Sequence, residues 1–358
     1  YIFKNNTDSL GNTYGCHENY LMRRDVDFWK VTEQLIPFFV TRQIYTGAGK
    51  VLKVSGKPQY FISQRAQHIH EKTSSSTTSS RSIINTRDEP HADAEKYRRL
   101  HIIVGDSNMS EYTSYLKIGT AVLVLSMIED GYAVMGMELE DSVKAIRDIS
   151  RDPTLKKMVK LDDGRQFSAL DIQRVYWERA QAYLQTESHE PVFADIHQQW
   201  GAALDQLDQD PMRMSRQVDW VSKKLMLQSY IDKKECGWDD PRVFLMDLQY
   251  HDVKRGRGLY YLMEANGLMD RMVDEQAVQR AMSVPPQTTR AKVRGDFIRF
   301  ARAKNRSYTV DWTYLPQYFF DKLDFTLYAL NAPRPSRVGP LDDANDMLFE
   351  RLQTGGWS

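Results

Sequence analysis

Two histidines in strand-like segments are the first residues whose type suggests chemistry. His17 follows Gly15 in the run GCHENY. The alternation of side chains along a strand puts it on the same face as Gly15 and opposite to Glu18. His101 opens the apolar run HIIV, where a buried polar group needs a partner such as a metal, a phosphate or a backbone carbonyl. An imidazole in either position can bind a divalent metal, although a lone strand histidine is more often a satisfied core group.

Arginines near these histidines could bind phosphate. Arg87 lies in the charged run of residues 85–93, and its guanidinium could hold a phosphate through two hydrogen bonds. A solvated, self-paired charged loop is the alternative for that run. Arg98 and Arg99 directly precede His101. Together these residues favour a sheet surface suited to ATP with Mg²⁺, where cations neutralise the phosphoryl charge.

The sequence motifs of several other nucleotide-binding and hydrolytic classes are missing. There is no G-x-x-x-x-G-K-[ST] loop, no G-x-G-x-x-G opening a helix and no nucleophile elbow. The basic turn KRGRG at residues 254–258 could receive an acidic peptide or a nucleotide phosphate, but such a run is more often simply solvated. These motifs therefore identify no function.

The elements that must position these residues predict an α+β protein. Residues 1–4 and 13–21 are β-prone and flank a polar turn, which predicts an opening hairpin, and Asp27 is a suitable N-cap for the helix that follows. The other predicted elements are a helix at 28–45, a hairpin at 51–54 and 59–63, a strand at 101–104, a helix at 110–130, mostly helical structure at 168–301 and a strand at 308–312. Hairpins therefore precede helices, as is typical of the α+β class.

Composition excludes several classes. The 358 residues suggest about two domains at roughly 150 residues each. Lys+Arg and Asp+Glu are both 48, and this zero net charge argues against a nucleic-acid partner. The two cysteines exclude a disulfide scaffold and fit a reducing compartment. The longest apolar stretch, at 121–128, is far shorter than the ~20 residues that span a bilayer. We therefore expect a cytoplasmic protein without a membrane partner.

Four long stretches resemble the family of Pup ligases and Pup deamidases, within the carboxylate–amine ligase superfamily that includes glutamine synthetase. They are KNNTDSLGNTYGCHENYL at 4–21, IINTRDEPHADAEKY at 83–97, RRLHIIVGDSNMS at 98–110 and LKIGTAVLVL at 116–125. With weaker stretches, the resemblance covers about residues 1–315. It implies an antiparallel β-sheet cradle packed with helices, which holds ATP and Mg²⁺. It also implies a catalytic domain at 1–286 and a small C-terminal domain at 287–358.

The resemblance also implies roles for five residues. His17 matches a metal-site histidine of the family, and His101 stands where the synthetase relatives place a metal-binding acidic residue. Arg65 and Arg87 match arginines at the nucleotide phosphates. Trp312 matches a tryptophan that reaches the nucleotide, and its indole could stack on adenine.

Two departures from the family pattern bear on catalysis. The family opens with G-x-E-x-E-Y-like and D-x-x-x-H-P-E-Y-like strands, which supply most Mg²⁺ carboxylates and the catalytic aspartate. Nothing in this sequence matches either strand, so we expect the chain to start after them and assign no catalytic base. Residues 316–358 do not resemble the family's C-terminal strands and form an atypical tail.

The implied activity has two main forms. A ligase would activate the C-terminal glutamate of Pup as a γ-glutamyl phosphate and join it to lysines of protein substrates, marking them for proteasomal degradation. Residues 74–81, 247–258 and 285–295 look like the ligase, whereas residues 22–25 and 127–131 lean toward the deamidase, which hydrolyses such bonds. We expect the ligase. The alternatives are the deamidase, a ligase acting on small amines and an inactive remnant that binds nucleotide or Pup.

Overall fold

The computed structural model describes residues 1–8, 10–76, 80–90, 92, 94–186, 189–287, 289–305, 314–317 and 326–329. Within them the strands are β1 (Glu18–Arg23), β2 (Lys50–Val54), β3 (Lys57–Phe61), β4 (Glu71–Ser74), β5 (Ser82–Asn85), β6 (Tyr97–Ile102), β7 (Met158–Lys160), β8 (Gln166–Ser168), β9 (Tyr314–Gln317) and β10 (Thr326–Ala329). The helices are α1 (Phe28–Thr41), α2 (Gln43–Thr46), α3 (Glu111–Glu129), α4 (Ser142–Ser150), α5 (Ala169–Leu184), α6 (Pro191–Gln209), α7 (Asp219–Lys234), α8 (Pro241–Gln249), α9 (Leu259–Ala265), α10 (Glu275–Ala281) and α11 (Arg290–Ala303). The predicted α+β class is confirmed.

The chain divides into two compact units. One comprises residues 1–20, 26–87 and 100–272, and the other comprises residues 21–25, 88–99 and 273–358. The domain boundary predicted between residues 286 and 287 stays a prediction.

The largest sheet is mixed rather than wholly antiparallel as expected. Its strand order is β1-β6-β5-β4, and β5 runs antiparallel to β6 but parallel to β4. The connecting run of serines and threonines lacks the Asn-Gly or Asp-Gly pair that closes a tight antiparallel hairpin. All four residues of β5 are buried, which explains why it is an uninterrupted apolar pair between Ser82 and Asn85.

The first arm of the predicted opening hairpin is wrong. Phe3 bridges to Asp252 rather than to residues 13–21, whereas Thr7 bridges antiparallel to Thr13, and regular strand structure begins only at Glu18. The Asp8 carboxylate stabilises the turn between Thr7 and Thr13, because it accepts hydrogen bonds from the N–H groups of residues 10 and 12, both at 2.9 Å.

The second predicted hairpin is confirmed as β2 and β3, with β3 starting two residues earlier than expected. Ser55 and Gly56 both have positive φ, at 50° and 79°. Positive φ at both central residues is typical of the turn that matches the twist of a two-residue hairpin.

The helical core surrounds α1 and α3. Asp27 caps α1 by accepting from the N–H groups of Trp29 and Lys30, as predicted, but the expected helix at 28–45 divides into α1 and α2. The Thr41 hydroxyl donates to the Pro37 carbonyl at 2.7 Å, a back-bond that bends helices. Phe38 of α1 packs edge-on against Trp200 of α6.

Helix α3 begins at Ser110, whose side chain accepts from the Thr113 N–H, close to the predicted start. Most of its residues are buried, on all sides of the helix. The long apolar run is therefore explained by burial of this helix within the protein rather than by a membrane segment. Across the described residues, no helix has the length and apolar character needed to cross a bilayer.

Candidate functional site

The two predicted metal-site histidines meet at the start of β1 and the end of β6. His101 Nε2 lies 2.9 Å from His17 Nδ1, and the two ring centroids are 4.9 Å apart. His101 is buried, whereas His17 is exposed. Asn85 pairs with His101 in the β5–β6 register, so the end of β5 reaches the same place.

Gly15 lets the His17 ring fold back over the backbone. A Cβ on Gly15 would overlap the His17 imidazole, with Nε2 and Cδ2 as the nearest atoms. The two residues share a face, as the strand alternation predicts. Position 15 requires a glycine because the His17 ring occupies the space of a Cβ, and not because the backbone has an unusual φ.

We expect Gly15→Ala to separate the two imidazoles while leaving the fold intact. The added methyl must displace the exposed His17 ring, because the buried His101 has less room to move. The measurement is the ¹⁵N spectrum of the histidine side chains, in which the His17–His101 hydrogen bond should be lost. An unchanged spectrum would contradict this geometry, and Gly256→Ala, where a Cβ meets nothing within 4 Å, controls for backbone effects at a glycine.

The donor set around this pair does not fit Mg²⁺ by itself. Among the described residues, no group of three or more His, Cys, Asp or Glu side chains is arranged to hold a metal. Mg²⁺ prefers six oxygen ligands in near-octahedral geometry, and two imidazoles supply none of them.

The nearby carboxylate, Glu18, is occupied in another way. It is buried on the opposite side of the strand, where it pairs with Arg42 Nη2 at 2.5 Å and accepts from the Tyr20 hydroxyl at 2.5 Å. Arg42 also donates to the Lys117 carbonyl at 3.0 Å. Glu18 therefore neutralises a buried arginine and helps to fix β1 against the helices.

Arg65 is the most deeply buried of the arginines predicted to bind phosphate, with 2% of its surface exposed. Nη1 donates to the Thr13 hydroxyl at 2.7 Å, and Nη2 donates to the Ile103 carbonyl at 3.2 Å. Its Nε has no hydrogen-bond partner among the residues that the structure describes. Since Thr13 and Ile103 lie on the segments that carry His17 and His101, the guanidinium and the histidine pair share one region. Burial lowers the pKa of Arg65.

The backbone below Arg65 is held by a buried carboxylate that the sequence analysis missed. Asp106 Oδ1 accepts from the Ser63 hydroxyl and the Arg65 N–H, at 3.0 and 3.1 Å. Its Oδ2 accepts from the N–H groups of Ala48 and Gln64, at 2.8 and 2.9 Å. Burial raises the pKa of Asp106, and these hydrogen bonds oppose the rise. The signal available in the sequence was an acidic residue two positions after the apolar run HIIV.

Arg87 lies two residues beyond Asn85, at the end of β5, and is exposed. Its N–H donates to Asn85 Oδ1 at 3.0 Å, which turns the chain as it leaves the strand. The sequence also allowed the charged run of residues 85–93 to be a loop whose charges pair with one another or with neighbouring charges. Asp88 fits that alternative, since it pairs with Arg24 at 2.9 Å and with Arg98 at 3.5 Å. Trp312 lies outside the described residues.

A second buried polar group, absent from the sequence predictions, surrounds Lys223 of α7. Its Nζ contacts Asp247 Oδ1 at 3.0 Å, the Gly49 carbonyl at 2.7 Å and His251 Nε2 at 2.8 Å. Asp247 also pairs with Lys50 at 2.5 Å. All four side chains are buried. Although burial opposes ionisation of Asp247, the two lysines lower its pKa.

His251 makes the stability depend on pH. Burial, with Lys223 and Lys50 nearby, lowers the pKa of His251 well below 6.5. Below about pH 6.5 this histidine is protonated in the unfolded chain but stays neutral in the folded chain. The free energy of unfolding therefore falls as the pH drops. We expect a contribution of about 1.4 kcal/mol per pH unit in the free energy of unfolding, measured by urea denaturation between about pH 7 and 5.

The variant that tests this is His251→Gln, whose amide oxygen can still accept from Lys223. Its unfolding free energy should lose the proton-linked slope that this histidine contributes. His197, which is partly exposed and has a pKa lowered by burial, provides the control, and His197→Gln should change the slope less. Equal slopes in wild type and His251→Gln would contradict the assignment.

Comparison with known proteins identifies relatives of the whole chain. The model of the family described as "Pup-ligase protein" matches residues 1–316. The Pup–protein ligase of Nocardia farcinica is 52% identical over 316 residues, which cover 88% of this chain and 70% of that protein. The Pup–protein ligase of Mycolicibacterium vanbaalenii is 51% identical over the same share of both chains.

Two solved structures are similar over nearly the whole chain. The Pup ligase PafA in complex with ADP has a TM-score of 0.87 at 36% identity, covering 99% of this chain and 77% of its own. The complex of Pup with its ligase PafA has a TM-score of 0.87 at 35% identity, covering 99% and 71%. The chain therefore has the α+β, glutamine synthetase-like fold that the resemblance implied. It belongs to the Pup-ligase family.

Proposed function

We propose that this chain is an ATP-dependent ligase that joins the C-terminal glutamate of Pup to lysine side chains of protein substrates. The observation that carries the proposal is the 52% identity over 316 residues to a protein named Pup–protein ligase. The similarity to PafA structures with ADP and with Pup supports the nucleotide and the protein partner. The reported relatives are named as ligases, which favours the ligase over the deamidase.

The reaction has two steps. The glutamate γ-carboxylate oxygen attacks the γ-phosphorus of ATP, and ADP leaves, which forms a γ-glutamyl phosphate. The neutral lysine amine then attacks the acyl carbon, inorganic phosphate leaves and an isopeptide bond remains after loss of the amine proton. Charge builds on the transferring phosphoryl oxygens, so fixed cations contribute most to the rate.

In this proposal Arg65 and Arg87 hold the nucleotide phosphates, and Trp312 contacts the base. Arg65 is supported by its burial and by its Nε, which has no partner within the described part of the chain and could donate to a phosphate oxygen. Arg87 is supported by its exposed place beside the β5–β6 pair. The proposal for Trp312 rests on the resemblance alone.

Mg²⁺ is proposed as the ion that accompanies ATP. His17 and His101 would lie at its site, but the oxygen ligands would come from the phosphates, water and further carboxylates. We also propose that the protein works in the cytoplasm, since its two cysteines are both free.

The test incubates the chain with ATP, Mg²⁺, Pup ending in glutamate and a lysine-bearing protein. A covalent conjugate visible by gel and mass spectrometry is the expected result, with Pup ending in glutamine as the control that should give none. A preformed conjugate tests the alternative. Release of Pup without ligation would overturn the proposal in favour of the deamidase, and ADP binding without either reaction would favour an inactive remnant.

A further inference from the structure

Gln64 lies between the loop that holds Arg65 and the buried group around Lys223. Its Nε2 contacts His251 Nε2 at 2.8 Å and donates to the Gly49 carbonyl at 3.1 Å. Its backbone N–H donates to Asp106, next to the Arg65 N–H. Only 1% of Gln64 is exposed. One side chain thus joins two buried polar groups.

The other end of the same amide reaches Arg65 by a second route. Gln64 Oε1 accepts from the Asn6 N–H at 2.8 Å. Asn6 Nδ2 donates to the Tyr14 carbonyl at 3.0 Å, and the Asn6 carbonyl accepts from the Tyr14 N–H at 2.8 Å. Tyr14 follows Thr13, whose hydroxyl accepts from Arg65 Nη1. Gln64 therefore supports both the backbone that carries Arg65 and the hydroxyl that its guanidinium contacts.

The hydrogen bonds leave Gln64 only one orientation. Its oxygen faces an N–H donor, so its NH₂ must face the Gly49 carbonyl and His251. His251 Nε2 also receives a hydrogen from Lys223, which is a donor only. Nε2 is therefore an acceptor, and the neutral ring carries its proton on Nδ1. No other assignment gives each of these contacts a donor and an acceptor.

We propose that Gln64 is a positioning residue for Arg65 and that neutral His251, held by Lys223, fixes its amide. This inference rests on the proposed role of Arg65 at the nucleotide phosphates. Gln64 itself reaches no reacting atom. Its effect should therefore appear in nucleotide affinity through Arg65 geometry, since a guanidinium fork binds phosphate well only when it is aligned.

The chain offers a matched control in Gln173. It is also fully buried and uses its whole amide, since Nε2 donates to the Phe38 carbonyl at 3.0 Å and Oε1 accepts from the Tyr45 hydroxyl at 2.9 Å. Its amide contacts Phe38, Thr41 and Tyr45, which all lie outside the Arg65 loop. Gln64→Leu and Gln173→Leu should thus cost similar stability but differ in their effect on the site.

The experiment measures ADP affinity by calorimetry for wild type, Gln64→Leu, Gln173→Leu and Arg65→Met. We expect the ADP Kd to rise roughly tenfold in Gln64→Leu, within about twofold of wild type in Gln173→Leu, and further in Arg65→Met. If Arg65→Met binds as wild type does, the proposed role of Arg65 fails. If Arg65→Met is impaired and the two glutamine variants bind alike, the positioning role fails alone.

A spectroscopic readout covers the case in which Gln64→Leu does not fold. Gln64→Glu keeps the shape but replaces the NH₂ donor with an acceptor facing His251 Nε2. The wild-type ¹⁵N spectrum should show His251 with Nδ1 protonated and Nε2 bare at neutral pH, and Gln64→Glu should shift the Nε2 resonance, because a carboxylate oxygen replaces one of its two donors. Wild-type protonation at Nε2, or an unchanged His251 signal in Gln64→Glu, would overturn the proposal.

Discussion

Arg65→Met should raise the Kd for ADP about 100-fold without unfolding the protein. Two charge-assisted hydrogen bonds to phosphate oxygens, each at the lower value of about 1.5 kcal/mol, amount to about 3 kcal/mol, which is about 100-fold in Kd. The Arg65 Nε, which has no partner among the described residues, is one donor available for them. The change removes the donors to the Thr13 hydroxyl and the Ile103 carbonyl. We therefore expect a loss of about 1–3 kcal/mol in the free energy of unfolding, which the fold should tolerate.

Two further variants, Arg65→Lys and Arg151→Met, test whether the loss of ADP affinity depends on the guanidinium at this position. The lysine keeps the charge but loses the planar fork, so we expect an intermediate Kd. Arg151 is half-exposed on α4's C-terminal end, and its loss should leave ADP binding unchanged. Calorimetric titration with ADP and a thermal melt of each variant supply both quantities. Arg65→Met with wild-type affinity, or with a melting temperature too low to measure binding, would contradict the argument.

The sequence predicts local features of the strands and helices better than it predicts the contacts between buried polar side chains. Alternation placed His17 beside Gly15 and opposite Glu18, and the structure has this arrangement although the regular strand begins only at Glu18. The helix cap at Asp27 follows in the same local way. The mixed sheet was missed, because strand order and direction depend on pairing between distant segments rather than on the composition of any one strand.

The contacts that support Arg65 could not be predicted for the same reason. Gln64 and His251 are separated by 187 positions. His251 lies in the stretch at 247–258 that looks like the ligase, but nothing in the sequence indicates that the two residues meet. A glutamine in a loop and a histidine after a helix are ordinary residues until the fold buries them together. Asp106 left a weak signal, since a carboxylate at the end of a buried strand must find donors.

Asp106→Asn should lower both the stability of the fold and the affinity for ADP, and this is the second large effect that we predict. The carboxylate accepts four hydrogen bonds, two on each oxygen. Asparagine keeps one oxygen, so two buried donors would face an NH₂ group instead. At about 1–3 kcal/mol for each unsatisfied donor, we expect a loss of roughly 2–6 kcal/mol in the free energy of unfolding, measured in urea. The Arg65 loop should shift with it and weaken ADP binding.

Asp219→Asn separates the two effects. Asp219 is equally buried and accepts from the N–H groups of Met109 and Ser110 and from the Tyr250 hydroxyl, at the start of α3 rather than at the Arg65 loop. Both variants should lose similar stability. A ligand that binds only the folded state raises stability in proportion to its affinity, so saturating ADP should raise the melting temperature of Asp219→Asn but hardly that of Asp106→Asn. Equal stabilisation by ADP would mean that Asp106 supports the fold without placing Arg65.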